Sequence, residues 1–157
     1  MLHEFDAILI GTGQAAPFLA ARLAETGMRV AIIERHLFGG TCVNTGCIPT
    51  KTMIASAYVA HTTRRARDYG VNFVGNVTVD MAAVKARKDA ISGGASRDLE
   101  DWLRHLKNVT VFFGAARFED ATTVRVNTDT LRANKIFINV GGRAYVPLLP
   151  GSTRPPS

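Results

Sequence analysis

The stretch that decides the fold is Phe5-Asp6-Ala7-Ile8-Leu9-Ile10-Gly11-Thr12-Gly13-Gln14-Ala15-Ala16. Its first half is a short apolar run and reads as a buried strand over Phe5 to Ile10. Its second half fits the pattern G-x-G-x-x-G/A, a dinucleotide-binding fingerprint. Alone the pattern is weak, because a glycine turn in an unrelated α/β protein would also satisfy it. The flanking sequence strengthens it. Gln14 to Glu25 is rich in Ala, Leu and Arg and reads as a helix closed by Gly27. Pro17 falls near the helix start, where backbone N–H groups lack intrahelical partners. Arg29 to Ile33 is a second β-branched strand, and Glu34 ends it about 20 residues past the fingerprint, where an acid accepts ribose hydroxyls. This order predicts a parallel, right-handed strand–helix–strand unit and an α/β fold. Within it Gly11 allows the tight turn, Gly13 leaves room for a pyrophosphate, and Ala16 keeps the helix close to the sheet. The helix N-terminus offers free N–H groups and a positive dipole end.

Further along, His36 to Gly46 reads as an irregular loop and Pro49 to Asp68 as a helix. Val71 to Thr78 reads as extended or loop, and Asp80 as the cap of a long helix running toward Lys107. Gly93-Gly94 weakens the middle of that helix and predicts a kink or break. Val109 to Phe113, Thr123 to Asn127 and Lys135 to Val140 read as strands, with a turn at Asp129 and Thr130. The tail from Pro147 holds four of the six prolines and reads as a linker or frayed end. Residues 1–150 are read as one domain and 151–157 as tail.

A chain of 157 residues suffices for one domain with a core, and 46% hydrophobic residues is ordinary for a globular protein. No apolar run is long enough to span a bilayer, and the start lacks the basic, apolar and small-residue order of a secretory signal. The expectation is a cytoplasmic protein. The net charge of +6 raises nucleic acid as a partner. However, the basic residues are scattered: Arg64, Arg65 and Arg67 close one helix, and Lys85, Arg87 and Lys88 lie inside another. No aromatic residues interleave with them as a base-stacking platform requires. They read as solvated helix faces.

The second informative stretch is Gly39-Gly40-Thr41-Cys42-Val43-Asn44-Thr45-Gly46-Cys47-Ile48-Pro49-Thr50-Lys51, which holds both cysteines. Residues five apart on a regular helix are separated by a rise of about 7.5 Å, and a disulfide needs Cα atoms within about 7 Å. A Cys42–Cys47 bridge therefore requires a distorted turn, which Asn44, Thr45 and Gly46 permit. So short a loop would constrain the unfolded chain by only roughly 2 kcal/mol, which suits redox exchange better than stapling. Cys47 falls at a helix N-terminus, a position that favours thiolate, and Lys51 lies one turn on along the same face. Two other fates stay open on these residues alone. Buried, inert cysteines are common, and a zinc site with His36 and His61 would have unusual spacing.

The run GGTCVNTGCIPTK, set behind a GxGxxA unit with a terminal Glu, resembles the class I pyridine nucleotide-disulfide oxidoreductases. The segments IGTGQAA, VNTGCIPTKTM and INVGGRA are most similar to mercuric reductase-like and dihydrolipoamide dehydrogenase-like members. The resemblance covers the chain to about Pro150. It implies the N-terminal part of a Rossmann-like FAD-binding domain, with a parallel sheet and a small antiparallel β-meander. Gly11, Gly13 and Ala16 would serve the FAD pyrophosphate and Glu34 the adenosine ribose. Gly40, Thr41 and Cys42 would line the FAD path, and the backbone of Ala116, beyond Gly114, would meet the adenine. Cys47 would face the flavin, Cys42 would attack substrate, and Lys51 would lie near the reactive flavin nitrogen. The family's Thr-Gly pair stands here as Val140-Gly141, so Gly141 can serve only through its backbone.

The implied parent activity relays hydride from NAD(P)H through FAD to the Cys42–Cys47 disulfide, and on to a disulfide or metal-ion substrate. No resident metal and no nucleic-acid or membrane partner are expected. Family members are longer, adding a nicotinamide domain and a dimerisation domain that makes them homodimers. The histidines here, His3, His36, His61 and His105, do not fall in the family's His-x-x-x-x-Glu pattern. The expectation is a truncated chain with the oxidant and half a flavin site, unable alone to turn over NAD(P)H. The alternative is a non-catalytic flavin-binding remnant.

Overall fold

The computed structural model describes residues 1–147 and 149. Two sheets and a helical layer make up the molecule. The central sheet is parallel throughout, in the order β4-β3-β2-β8, from β2 (Ala7–Ile10), β3 (Val30–Glu34), β4 (Val109–Phe113) and β8 (Ile136–Ile138). Every residue of β2 and β3 is buried, as expected for parallel strands covered on both faces. The two expected strands are thus neighbours and parallel, with α1 (Ala16–Glu25) crossing between them.

Side-chain alternation along these strands assigns the two faces. Leu9, Val30 and Ile32 point to the helical side, where Ala16, Ala20 and Ala24 of α1 meet Phe38 and Leu103. Leu103 belongs to α4 (Met81–His105). Ile8, Ile10, Ala31 and Ile33 point the other way, against Val124, Val126, Leu131 and Ala133. Truncating Leu9, fully buried in the first cluster, would cost about 2–5 kcal/mol.

The second sheet has the order β1-β7-β6-β5. β5 (Ala116–Phe118), β6 (Thr123–Val126) and β7 (Asp129–Arg132) form the expected antiparallel meander. The sheet is mixed, however, because β1 (Leu2–Glu4) pairs with β7 in parallel. The turn expected at Asp129 and Thr130 lies two residues earlier, at Asn127 and Thr128. Asn127 takes φ of 53°, its side-chain amide donates to the Phe113 carbonyl at 2.9 Å, and Asp129 and Thr130 begin β7.

The segment expected to be irregular between His36 and Gly46 contains a short helix, α2 (Gly40–Asn44). The Asn44 side-chain amide donates to the carbonyls of Phe38 and Gly40, both at 2.9 Å, and so closes the turn locally. Next comes α3 (Cys47–Arg64), two residues earlier than expected; Pro49 sits in its first turn, where proline is tolerated. A 3-10 turn at Ala66–Tyr69 finishes the segment read as helix to Asp68. Asp80 caps α4 as expected, accepting from the N–H groups of Ala82 and Ala83. α4 runs unbroken through Gly93-Gly94. The small residues there let it lie close to the segment after β3: Ser92 and Ser96 are buried, and the Ser96 hydroxyl donates to the Phe38 carbonyl at 2.9 Å. That packing offsets the glycine pair's low helix propensity. Arg87 ties α4 to α3 by donating to the Thr52 carbonyl at 3.0 Å, and Lys85 and Lys88 both pair with Asp89. No helix among the described residues is long and apolar enough to cross a membrane.

Candidate functional site

The glycine turn joins β2 to α1 at the carboxyl end of the parallel sheet, the end where open α/β sheets bind ligands. Gly11 has φ of 93° and donates its N–H to the Ile33 carbonyl at 2.7 Å. A side chain there would fall on the carbonyl of Asn139, which follows β8. Asn139 in turn donates its backbone N–H to Ile10 and its side-chain amide to the Gly13 carbonyl at 3.1 Å. Gly13 was expected to leave room for phosphate. A Cβ on Gly13 would lie 3.1 Å from the Asn139 side-chain amide, and Gly40 packs onto Gly13 so closely that a Cβ on Gly40 would lie 2.9 Å from the Gly13 Cα. Ala16 is 2% exposed and sits in the helix–sheet core, as its packing role requires.

Glu34 ends β3 and is 9% exposed. Its Oε1 accepts from the backbone N–H groups of Arg35 and His36 at 2.8 and 2.9 Å. Its Oε2 accepts from the Thr12 N–H at 3.0 Å and the Thr12 hydroxyl at 2.5 Å. The Thr12 oxygen also accepts from the Gly39 N–H at 3.2 Å. Thr12 and Asn139 were not singled out in the sequence. Thr12 occupies a variable position of the fingerprint, and Asn139 lies more than a hundred residues away from the turn it closes.

Cys42 lies within α2 and Cys47 opens α3, with Gly46 between the two helices. A Cβ on Gly46 would lie 2.9 Å from the Thr41 oxygen and 3.5 Å from the Cys42 Cα, so glycine lets the two cysteine turns close on one another. Both cysteines are free thiols, Cys42 partly buried and Cys47 exposed. A hydrogen bond between the two thiols holds Cys42 above the ordinary thiol range; burial adds to this, and the positive charge of Lys51 opposes it. The two cysteines thus lie in separate helical segments that meet at Gly46, not on one regular helix. Among the described residues no cluster of His, Cys, Asp and Glu could hold a metal ion, so the cysteines do not gather a zinc set with His36 and His61.

One groove of about 1130 Å³ connects these parts. It is lined by Gly11, Gly13, Glu34, Gly40, Thr41, Cys42, Cys47, Ala116 and Gly141, nine of the expected residues. Lys51 does not line it; it is exposed on α3 and acts on Cys42 through its charge. Arg35, His36 and Arg143 add basic groups to the wall, and Asn139 adds an amide.

The pyridine nucleotide-disulphide oxidoreductase family matches residues 5–155. The chain belongs to that family. It is 34% identical over 151 residues to the dihydrolipoyl dehydrogenase of Acholeplasma laidlawii, covering 96% of this chain and 45% of the relative. It is 33% identical over 148 residues to the mercuric reductase of Lysinibacillus sphaericus, covering 94% of this chain and 27% of the relative. Among solved structures, a Cu(II) complex of the HOCl-induced flavoprotein disulfide reductase RclA from Escherichia coli superposes with a TM-score of 0.74 at 32% identity, covering 95% of this chain and 31% of that one. The chain thus spans less than half the length of each of these relatives. The pyridine nucleotide-disulphide oxidoreductases are FAD-dependent flavoproteins, and the groove described above occupies the matched segment.

Proposed function

We propose that the groove takes FAD and that Cys42 and Cys47 form a redox-active pair at one end of it. The observation that carries this reading is the continuity of the groove, which reaches from Glu34 and the glycine turn to both thiols. Its volume of about 1130 Å³ suits a dinucleotide, lying just above the ~300–1,000 Å³ usual for ligand pockets. The glycine turn and the N-terminus of α1 would receive the pyrophosphate, with Arg35 and Arg143 adding positive charge. Glu34 would accept the adenosine ribose hydroxyls, Ala116 would offer its backbone to the adenine, and Gly141 would contact the cofactor through backbone alone. Gly40, Thr41 and Cys42 would line its path.

Bound FAD supplies two-electron chemistry between a nicotinamide nucleotide and the cysteines. Oxidising the pair to a disulfide releases two electrons and two protons, the amount a substrate disulfide takes up on becoming two thiols. Cys47 would stand toward the flavin. Cys42 would be the thiol that attacks substrate, its proton held by the contact with Cys47 until the pair is used. Lys51 would bias Cys42 toward the ionised form through its charge. In the whole protein the parent activity would be NAD(P)H-dependent reduction of a disulfide or metal-ion substrate, carried out by a homodimer in the cytoplasm, where thiols persist reduced. Residues 1–150 would be the N-terminal part of the FAD-binding domain; the tail expected over 151–157 lies outside the described residues.

The 157-residue chain is expected to bind FAD and not to oxidise NAD(P)H. Quenching of flavin fluorescence on titration with the purified chain, weakened by Glu34→Ala, tests the site. A colourless protein that leaves flavin fluorescence unchanged would overturn the reading. Steady-state NADH or NADPH oxidation abolished by Cys47→Ser would overturn the expectation that the isolated chain is inactive.

A further inference from the structure

We infer that Thr12 is a positioning residue: its hydroxyl fixes the Glu34 carboxylate and joins the glycine turn to the segment that carries the cysteines. The inference rests on the FAD reading only for its ligand arm. An ionised carboxylate has about four lone-pair sites on its two oxygens. Glu34 meets four donors, all from the protein: the backbone N–H groups of Thr12, Arg35 and His36, and the Thr12 hydroxyl. Three of these belong to the backbone and survive any side-chain change. The Thr12 hydroxyl is the one side-chain donor, and its contact is the shortest.

The direction of that hydroxyl is settled by its neighbours. Its single proton goes to Glu34 Oε2, and its oxygen accepts from the Gly39 N–H. Thr12 is 1% exposed, so water cannot take over either contact. Gly39 is the residue before α2, which contains Cys42. One buried hydroxyl therefore holds the acid at the end of β3, the turn before α1 and the start of the cysteine segment. Two further contacts bring the same segments together: Gln14 Nε2 donates to the Gly39 carbonyl at 3.4 Å, and Gly40 packs on Gly13. The four donors to Glu34 fill the usual sites of its carboxylate, so a ligand hydroxyl reaching Glu34 shares one of its oxygens with a protein donor and meets an acceptor already oriented, which spares the cost of ordering it on binding.

Thr12→Val keeps the shape of the side chain and deletes the hydroxyl. It leaves a buried carboxylate one donor short and the Gly39 N–H without its acceptor. Thr12→Ser keeps the hydroxyl. The experiment measures FAD affinity by fluorescence quenching and Gly39 amide exchange by NMR, for the 157-residue chain and both variants. Thr12→Ala supplies the same comparison should Thr12→Val not fold. Expected is a loss of FAD affinity of about tenfold in Thr12→Val, since hydrogen bonds to charged groups are the stronger class. Gly39 exchange should be several-fold faster in that variant, and Thr12→Ser should stay close to wild type in both measurements. Unchanged affinity and unchanged Gly39 exchange in Thr12→Val would overturn the inference. So would a Thr12→Ser variant as impaired as Thr12→Val, because the methyl group would then be the cause. If the wild-type chain binds no FAD, the proposed function falls, and Gly39 exchange alone decides: faster in Thr12→Val but not in Thr12→Ser supports the positioning role, and equal rates end it.

Discussion

Gly11→Ala and Gly27→Ala form a matched pair that separates backbone strain from steric contact at the glycine turn. The two glycines share nearly the same left-handed conformation, with φ of 93° and 89°. Around Gly27, just past α1, a Cβ would meet nothing within 4 Å. At Gly11 it would fall on the Asn139 carbonyl oxygen, with the carbonyl carbon at 3.0 Å and the Val140 Cα at 3.4 Å. All three atoms are backbone, so no rotamer change relieves the clash. Nor can Asn139 withdraw freely, because its N–H bonds Ile10 at 2.8 Å and its amide holds Gly13.

Gly27→Ala should cost only the left-handed conformation, about 1–2 kcal/mol. Gly11→Ala carries the same term plus overpacking of about 1–3 kcal/mol, for a total of roughly 2–5 kcal/mol. With a urea slope of about 2 kcal/mol/M, the midpoint should fall by about 0.5–1 M for Gly27→Ala and about 1–2.5 M for Gly11→Ala. The upper figure is a large share of the roughly 5–15 kcal/mol that stabilises an ordinary domain. Urea unfolding followed by far-UV circular dichroism gives both numbers in one experiment. A difference between the variants below roughly 0.5 kcal/mol, the size of an ordinary surface substitution, would refute the claim that β8 closes on the turn at this contact.

Alkylation of the reduced chain should show Cys42 titrating above an ordinary thiol, and Cys47→Ala should bring its midpoint down, because the thiol–thiol hydrogen bond is the largest cause of the rise; mass-resolved alkylation rates against pH check this. The hydrogen bond from His3 holds the Asp129 carboxyl below its ordinary value. A depressed carboxyl stabilises the fold above its unfolded pKa of about 3.9 and loses that contribution as pH falls through the folded value, so Asp129→Asn should flatten the acid limb of urea midpoints measured between pH 2.5 and 6. Asp80→Ala should cost about 1 kcal/mol by removing the acceptor for the Ala82 and Ala83 N–H groups, whereas Asp80→Asn should cost much less, both read from urea midpoints.

The elements legible in the sequence are those whose signal is local. β2 and β3 are unbroken apolar runs because both faces of a parallel sheet are covered, and the helix between them is bounded by the glycine turn and Gly27. The missed strands lack such a signal. β1 is Leu-His-Glu and β7 is Asp-Thr-Leu-Arg: β1 exists because β7 supplies its backbone partners across more than 120 residues of chain, and β7 because β6 and β1 flank it on either side. Asp129 and Thr130 have turn-forming side chains, but Asn127 takes the left-handed position and Asp129 is drawn into the sheet beside His3. The unbroken α4 is the same lesson in reverse. Local propensity at Gly93-Gly94 argues for a break, and the burial of Ser92 and Ser96 decides against it.

The candidate site divides along the same line. Gly11, Gly40, Cys42, Gly46 and Cys47 were visible because each residue type is tied to what it must do: adopt an unusual backbone, admit a close neighbour or carry a thiol. Thr12 and Asn139 were not, because either could be replaced in the linear pattern without spoiling it. Their roles arise only when β3 and β8 flank β2 and bring Glu34 and Asn139 to opposite sides of one turn. The fingerprint therefore describes only the strand and turn that the groove is built on. The groove's shape is set by side chains arriving from the neighbouring strands, and those contacts fix how Glu34 and the cysteine segment face a ligand. Members of this family that share every glycine of the motif should accordingly differ in how tightly the turn is coupled to the cysteines.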